Sequence, residues 1–139
     1  KDNKKGVTLL IAVLTASLLL SISLSIFNIA IKELIISSSG RDSHTAFYAA
    51  DSGIECALYW DYRNAFSTTT PSDISCGSAN FTVGGAPTSS FTITDDSTGT
   101  CVITSVDKSG GETLIEARGY NTCAANVPRK TERAIRVRY

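Results

Sequence analysis

The residues best suited to covalent chemistry are four cysteines, Cys56, Cys76, Cys101 and Cys123. They are isolated from one another, with no C-x₂-C pair, so the ligand spacing of a structural zinc site is missing and no metal is expected. Disulfide formation is the chemistry they point to if their segment lies in an oxidising compartment. Three full pairings are open and the spacing does not choose among them; a free, buried Cys56 is a further alternative. The single histidine, His44, has no nucleophile spaced to partner it and reads as a solvated helix residue. No dinucleotide fingerprint, P-loop or H-E-x-x-H motif occurs, and Asp95-Asp96 makes a better turn than a metal site. Arg129, Lys130, Arg133, Arg136 and Arg138 gather near the end of the chain around Glu132. Such a cluster can supply the salt-dependent part of phosphate binding, but a charged sheet edge is the simpler reading. Neither catalysis, a cofactor nor a nucleic-acid partner is expected.

The elements that position these residues begin with a membrane-like run. Over 139 residues, 13 Lys and Arg balance 13 Asp and Glu, for a formal net charge of +0. The charge is unevenly spread. Val7 to Ile31, about 25 residues, carries none, and about 20 apolar residues suffice to cross a bilayer as a helix. The basic flank KDNKKG keeps the N-terminal side in the cytoplasm and sends the rest of the chain outward. A removed signal peptide is the competing reading, but its apolar stretch is shorter and ends in a cleavage site. Here the helical pattern continues. Within the run, Ser17, Ser21, Ser25 and Asn28 fall on one face at about 100° per residue. Small and polar side chains on one stripe allow close helix–helix contact in lipid; bonding of each Ser to its own backbone is the alternative.

Beyond Lys32 and Glu33 the helical spacing persists. Ile36, Phe47, Ala50, Ile54 and Leu58 form an amphipathic stripe expected to face a core. A second stripe, Ala49, Gly53, Cys56 and Trp60, falls on roughly the opposite side and suggests contact with a neighbouring subunit; a single broad buried face is the alternative. The helix is expected from Val7 to about Arg63, with bending or local unwinding at Ser37-Ser38-Ser39-Gly40, whose residues are poor helix formers. After Phe66 the composition turns to Ser, Thr, Gly and Asp, and STTTPSD reads as a loop. Strands are expected at Asn80–Val83, Ser90–Thr94, Thr100–Val106, Thr113–Arg118 and Arg133–Tyr139, separated by Gly- and Asp-rich turns. They make an antiparallel sheet of three to five strands, with Ile135, Val137 and Tyr139 facing inward and Arg136 and Arg138 facing water. The fold class is therefore α+β: a long N-terminal helix, half membrane and half amphipathic, packed on a small β head. The organisation is leader 1–6, membrane helix 7–31, amphipathic continuation 32–66 and head 67–139. A head this small calls for staples such as disulfides.

This combination resembles type IV pilins and the pseudopilins of secretion and DNA-uptake systems. The matching residues are KKGVTLL, Lys4 to Leu10, which look like a class III leader, and HTAFYAADSGIE, His44 to Glu55, which resembles the AFYAAEAGI stretch of minor pilins of the PilX kind. The resemblance implies cleavage between Gly6 and Val7 by a membrane leader peptidase and N-methylation of Val7. It implies storage in the bacterial inner membrane with the head outside the cytoplasm, then assembly with other pilin subunits into a cell-surface or periplasmic filament. Most major pilins carry Glu at the position of Ile11; this chain has no acid from Val7 to Ile31. That departure implies a minor or tip-associated subunit. A single-pass anchored surface binder with a β-rich head is the alternative.

Overall fold

The computed structural model describes residues 3–139. One α-helix, α1, spans Asn3–Tyr62. Six strands come after it: β1 Pro71–Cys76, β2 Ala79–Gly84, β3 Thr88–Asp95, β4 Thr100–Asp107, β5 Leu114–Tyr120 and β6 Glu132–Arg138. All pairings are antiparallel, with β1-β2 as a two-stranded sheet and β3-β4-β5-β6 as a meander. The chain divides into two compact units, one ending at Ser38 and the other Ser39–Tyr139.

Among the described residues, the first unit is helix alone. Every residue from 6 to 37 is exposed, so nothing in this unit buries its apolar side chains. The helix is long and apolar enough to cross a membrane. A helix is the form this run must take in lipid, because it satisfies every backbone polar group within the segment.

The expected unwinding at Ser37-Ser38-Ser39-Gly40 does not occur; α1 is helical throughout that stretch. The deficit of one Gly and three Ser is about 1 kcal/mol or less per residue, and flanking turns propagate through it cooperatively. No proline is present to remove a helix hydrogen bond.

In the second unit, helix residues 39–62 lie on the inner face of the meander. α1 ends in a Schellman cap. Asn64 takes the left-handed conformation at φ 60°, Ala65 N–H donates to Trp60 O at 3.0 Å, and Asn64 N–H donates to Asp61 O at 2.9 Å. Ala46, Ala50, Ile54 and Ala57 are buried, and the core continues through Phe66, Ile74, Phe91, Val102, Val106, Ile115 and Ala117. Small residues dominate the helix side because backbone meets backbone there. A Cβ on Gly119 would collide with Ala46 O, and one on Gly53 would sit 2.5 Å from Thr104 Oγ1.

Three sequence expectations are corrected by this packing. Ile36 and Phe47 do not face the core: they are 70% and 46% exposed. The buried phase runs through Ala46, Ala50, Gly53 and Ala57, about 100° from Phe47, because only Ala and Gly fit against Gly119 and Ala117. Ala50 and Ile54 are core residues as expected, and Leu58 packs at the margin. The stripe Ala49, Cys56 and Trp60 is not an opposite face; all three pack against the same core, and Gly53 is buried within it. The helix thus has one broad inner face. Finally, β1 occupies part of the segment that reads as loop. Ile74 and Cys76 alternate inward along it and are buried, which offsets its Pro- and Ser-rich composition.

Candidate functional site

The polar stripe of the first unit is helical from end to end. Ser17 Oγ donates to Leu14 O at 2.8 Å, Ser21 Oγ to Ser17 O at 2.9 Å and Ser25 Oγ to Ser21 O at 3.0 Å. Each hydroxyl is therefore satisfied by its own helix, as the alternative reading holds. What these serines still offer a neighbour is small size. Asn28 differs, since its carboxamide has no hydrogen-bond partner among the described residues. Gly6 and Val7 lie inside α1, with Val7 exposed. Of the leader segment 1–6, Lys1 and Asp2 lie outside the described residues.

The cysteines form two disulfides, Cys56–Cys76 and Cys101–Cys123, with Cα atoms 6.0 Å and 5.6 Å apart. The first ties the helix to β1. Trp60 reinforces that junction by donating from Nε1 to Ser75 O at 2.9 Å. The second ties the start of β4 to the loop after β5, and Cys123 N–H donates to Gly99 O at 2.9 Å beside it.

A buried ionic cluster closes the other end of the second unit. Asp61, in the last turn of α1, is buried. An anion there opposes the helix dipole and requires partners. Lys108 Nζ lies 2.5 Å from its Oδ1, and Tyr139 Oη donates to its Oδ2 at 2.6 Å. Burial, and then the hydrogen bond to Asp61, push the Tyr139 phenol well above its ordinary pKa. Tyr139 and Thr113 also exchange backbone hydrogen bonds, so the end of the sheet is fixed to the end of the helix. Sequence reasoning missed this cluster because its members lie far apart in the chain; an acid in the final turn of an amphipathic helix was the available signal.

The basic strand is neutralised locally. Glu116 on β5 receives Arg136 Nη2 at 2.5 Å and Arg118 Nε at 2.6 Å. Hydrogen bonds from Arg136 and Arg118 hold its carboxyl below the usual carboxylate range. Arg138 approaches Glu112 at 3.7 Å, Arg133 donates to Ser43 Oγ at 2.7 Å, and Lys130 lies 4.4 Å from the Tyr120 ring centre. The arginines at 136 and 138 point to water and Ile135 and Val137 inward, as the alternation predicts. His44 stacks on Tyr48 at 6.5 Å on the exposed side of α1. Among the described residues, no three His, Cys, Asp or Glu side chains converge as a metal site would require.

One cleft of about 360 Å³ lies between the helix and the β3–β4 hairpin, lined in part by Tyr48, Ser52, Ile93, Asp95 and Thr100. The Asp95 carboxylate and the Ser52 hydroxyl that line it are engaged. Asp95 accepts from Ser97 N–H at 2.9 Å, Ser97 Oγ at 2.6 Å and Thr98 Oγ1 at 2.7 Å, which holds its pKa at about 2. Ser52 Oγ donates to Ala49 O.

The apolar N-terminal helix, its second half packed on a small antiparallel sheet, is a pilin-like architecture. No family model, no curated protein and no solved structure matches the chain.

Proposed function

We propose that this chain is a structural subunit, minor or tip-associated, of a type IV pilus or pseudopilus. Its N-terminal helix anchors it in the inner membrane and then packs against the helices of other subunits. One observation carries the reading: a single helix does two jobs in its two halves. Residues 39–62 complete a stapled β head, while residues 6–37 are exposed along their whole length. Exposed apolar side chains on that scale need lipid or other helices to cover them. Each buried Leu or Ile contributes about 1.5–3 kcal/mol on transfer from water, so stacked helices of this kind can hold a polymer by packing alone. The leader resemblance at Lys4 to Leu10 and the missing acid at Ile11 support a minor subunit.

Mass spectrometry of the N-terminus tests this reading. Protein isolated from an envelope with an active leader peptidase should begin at an N-methylated Val7. An intact Lys4-Lys5-Gly6 leader on that protein would favour a plain membrane-anchored surface binder instead.

A further inference from the structure

We infer that Asn28 is a pairing group, and that its partner is Asn28 of a second copy of this chain lying alongside in the membrane. From Val7 to Ile31 the only polar side chains are Ser, Thr and this one carboxamide. The hydroxyls of Thr15, Ser17, Ser21, Ser23 and Ser25 all donate to carbonyls of their own helix. Asn28 makes no such bond among the described residues. A carboxamide has two donors and a two-lone-pair acceptor, and leaving it unpaired in an apolar medium is costly. Asn28 is nine residues from Leu19, the midpoint of the run, which is about 13 Å along the axis. That depth falls within the roughly 15 Å half-thickness of the hydrocarbon core.

The choice of a second copy rests on topology. Identical chains insert in the same orientation, so two neighbouring helices place their Asn28 side chains at the same level. A carboxamide is self-complementary, and each can donate to the other's oxygen. The face is also shaped for approach. Ser17, Ser21 and Ser25 precede Asn28 on the same side, and their donors are already spent within the helix, so they contribute small size rather than competing bonds. The inference takes from the proposed function only the placement of α1 in lipid.

The test uses the full chain in phosphatidylcholine–phosphatidylglycerol vesicles, labelled separately with donor and acceptor dyes, with energy transfer followed as lipid dilutes the protein. Wild type should pair. Asn28→Leu should weaken pairing about tenfold, consistent with the measured worth of polar contacts between membrane helices, while resistance to carbonate extraction stays unchanged. Asn28→Gln keeps the carboxamide and should pair within about threefold of wild type. Equal pairing of Asn28→Leu and wild type overturns the inference, as does equal loss in the Leu and Gln variants, which would assign the effect to shape. A wild-type chain that stays single in vesicles yet enters filaments sinks the pairing alone. One that pairs yet never enters a filament sinks the proposed function alone.

Discussion

The two halves of α1 solve opposite packing problems with the same backbone. Between Val7 and Ile31, large aliphatic side chains cover most of the helix surface and none is buried. Between Ala46 and Ala57, the inward positions are Ala46, Ala50, Gly53 and Ala57, and the helix backbone approaches within a methyl group's reach of β5. Bulk is useful where the covering partner is fluid or another flexible side chain. It is excluded where a rigid sheet already occupies the space. Small residues therefore carry different meanings along one helix. In the head they report a contact already made, whereas Ser17, Ser21 and Ser25 in the exposed half mark a face on which no described residue packs.

The sharpest way to break this contrast is to add one carbon where the head is tightest. Gly119→Ala places a Cβ against Ala46 O and should cost the head about 3 kcal/mol or more, beyond ordinary overpacking, because backbone must shift. Denaturant unfolding followed by Trp60 fluorescence would read it, and membrane insertion of the first half should be untouched. The same Gly→Ala change at Gly6, which has open space around it, should leave head stability as it is.

Next in size is the Cys101–Cys123 staple. Replacing both cysteines with serine should lower head stability by about 2–4 kcal/mol, measured by the midpoint of urea unfolding, again without effect on insertion. Smaller is Tyr139→Phe, which removes the hydroxyl that serves the buried Asp61 carboxylate. A hydrogen bond to a charged group is worth about 1.5–3 kcal/mol, and the loss should disappear in an Asp61→Asn background if that bond is its cause.

Thr104→Val should act in the opposite direction. Thr104 is fully buried and its Oγ1 has no hydrogen-bond partner in the head. Replacing the hydroxyl with a methyl of similar size should be neutral or stabilise by about 1 kcal/mol; a loss would mean that the fit against Gly53 tolerates oxygen but not carbon. The smallest effect concerns Glu116. Its folded pKa lies below the unfolded value of about 4.3. The contribution is therefore present above that value and is lost as pH falls toward the folded pKa. Glu116→Gln should flatten this acid limb of the stability–pH curve by slightly lowering stability at neutral pH, with little change below the folded pKa.

Much of the architecture was legible from periodicity. The uncharged run, the end of the helix near Arg63 and the alternation of β6 all reflect local spacing, and the turn signals at Gly84-Gly85, Asp95-Asp96 and Ser109-Gly110-Gly111 do bound strands. What local spacing could not supply was the phase of the helix against the sheet. Phe47 is a plausible core residue until Gly119 is seen to bring β5 against Ala46. Ile36 likewise lies outside the head unit altogether. The pairing of the cysteines depends on which strand passes the helix, and β1 is hidden by its own composition. The Asp61–Lys108–Tyr139 cluster joins three distant positions and left only a lone acid as its trace.

The central claim is that the first half of α1 holds this protein in a polymer. The most direct measurement is incorporation of the Ser21→Leu, Ser25→Leu double variant into isolated filaments, quantified against wild type alongside membrane insertion of both. The account predicts that incorporation falls severalfold while insertion and head stability stay at wild-type levels. Incorporation equal to wild type, or a wild-type chain found only as a lone membrane protein, would contradict it.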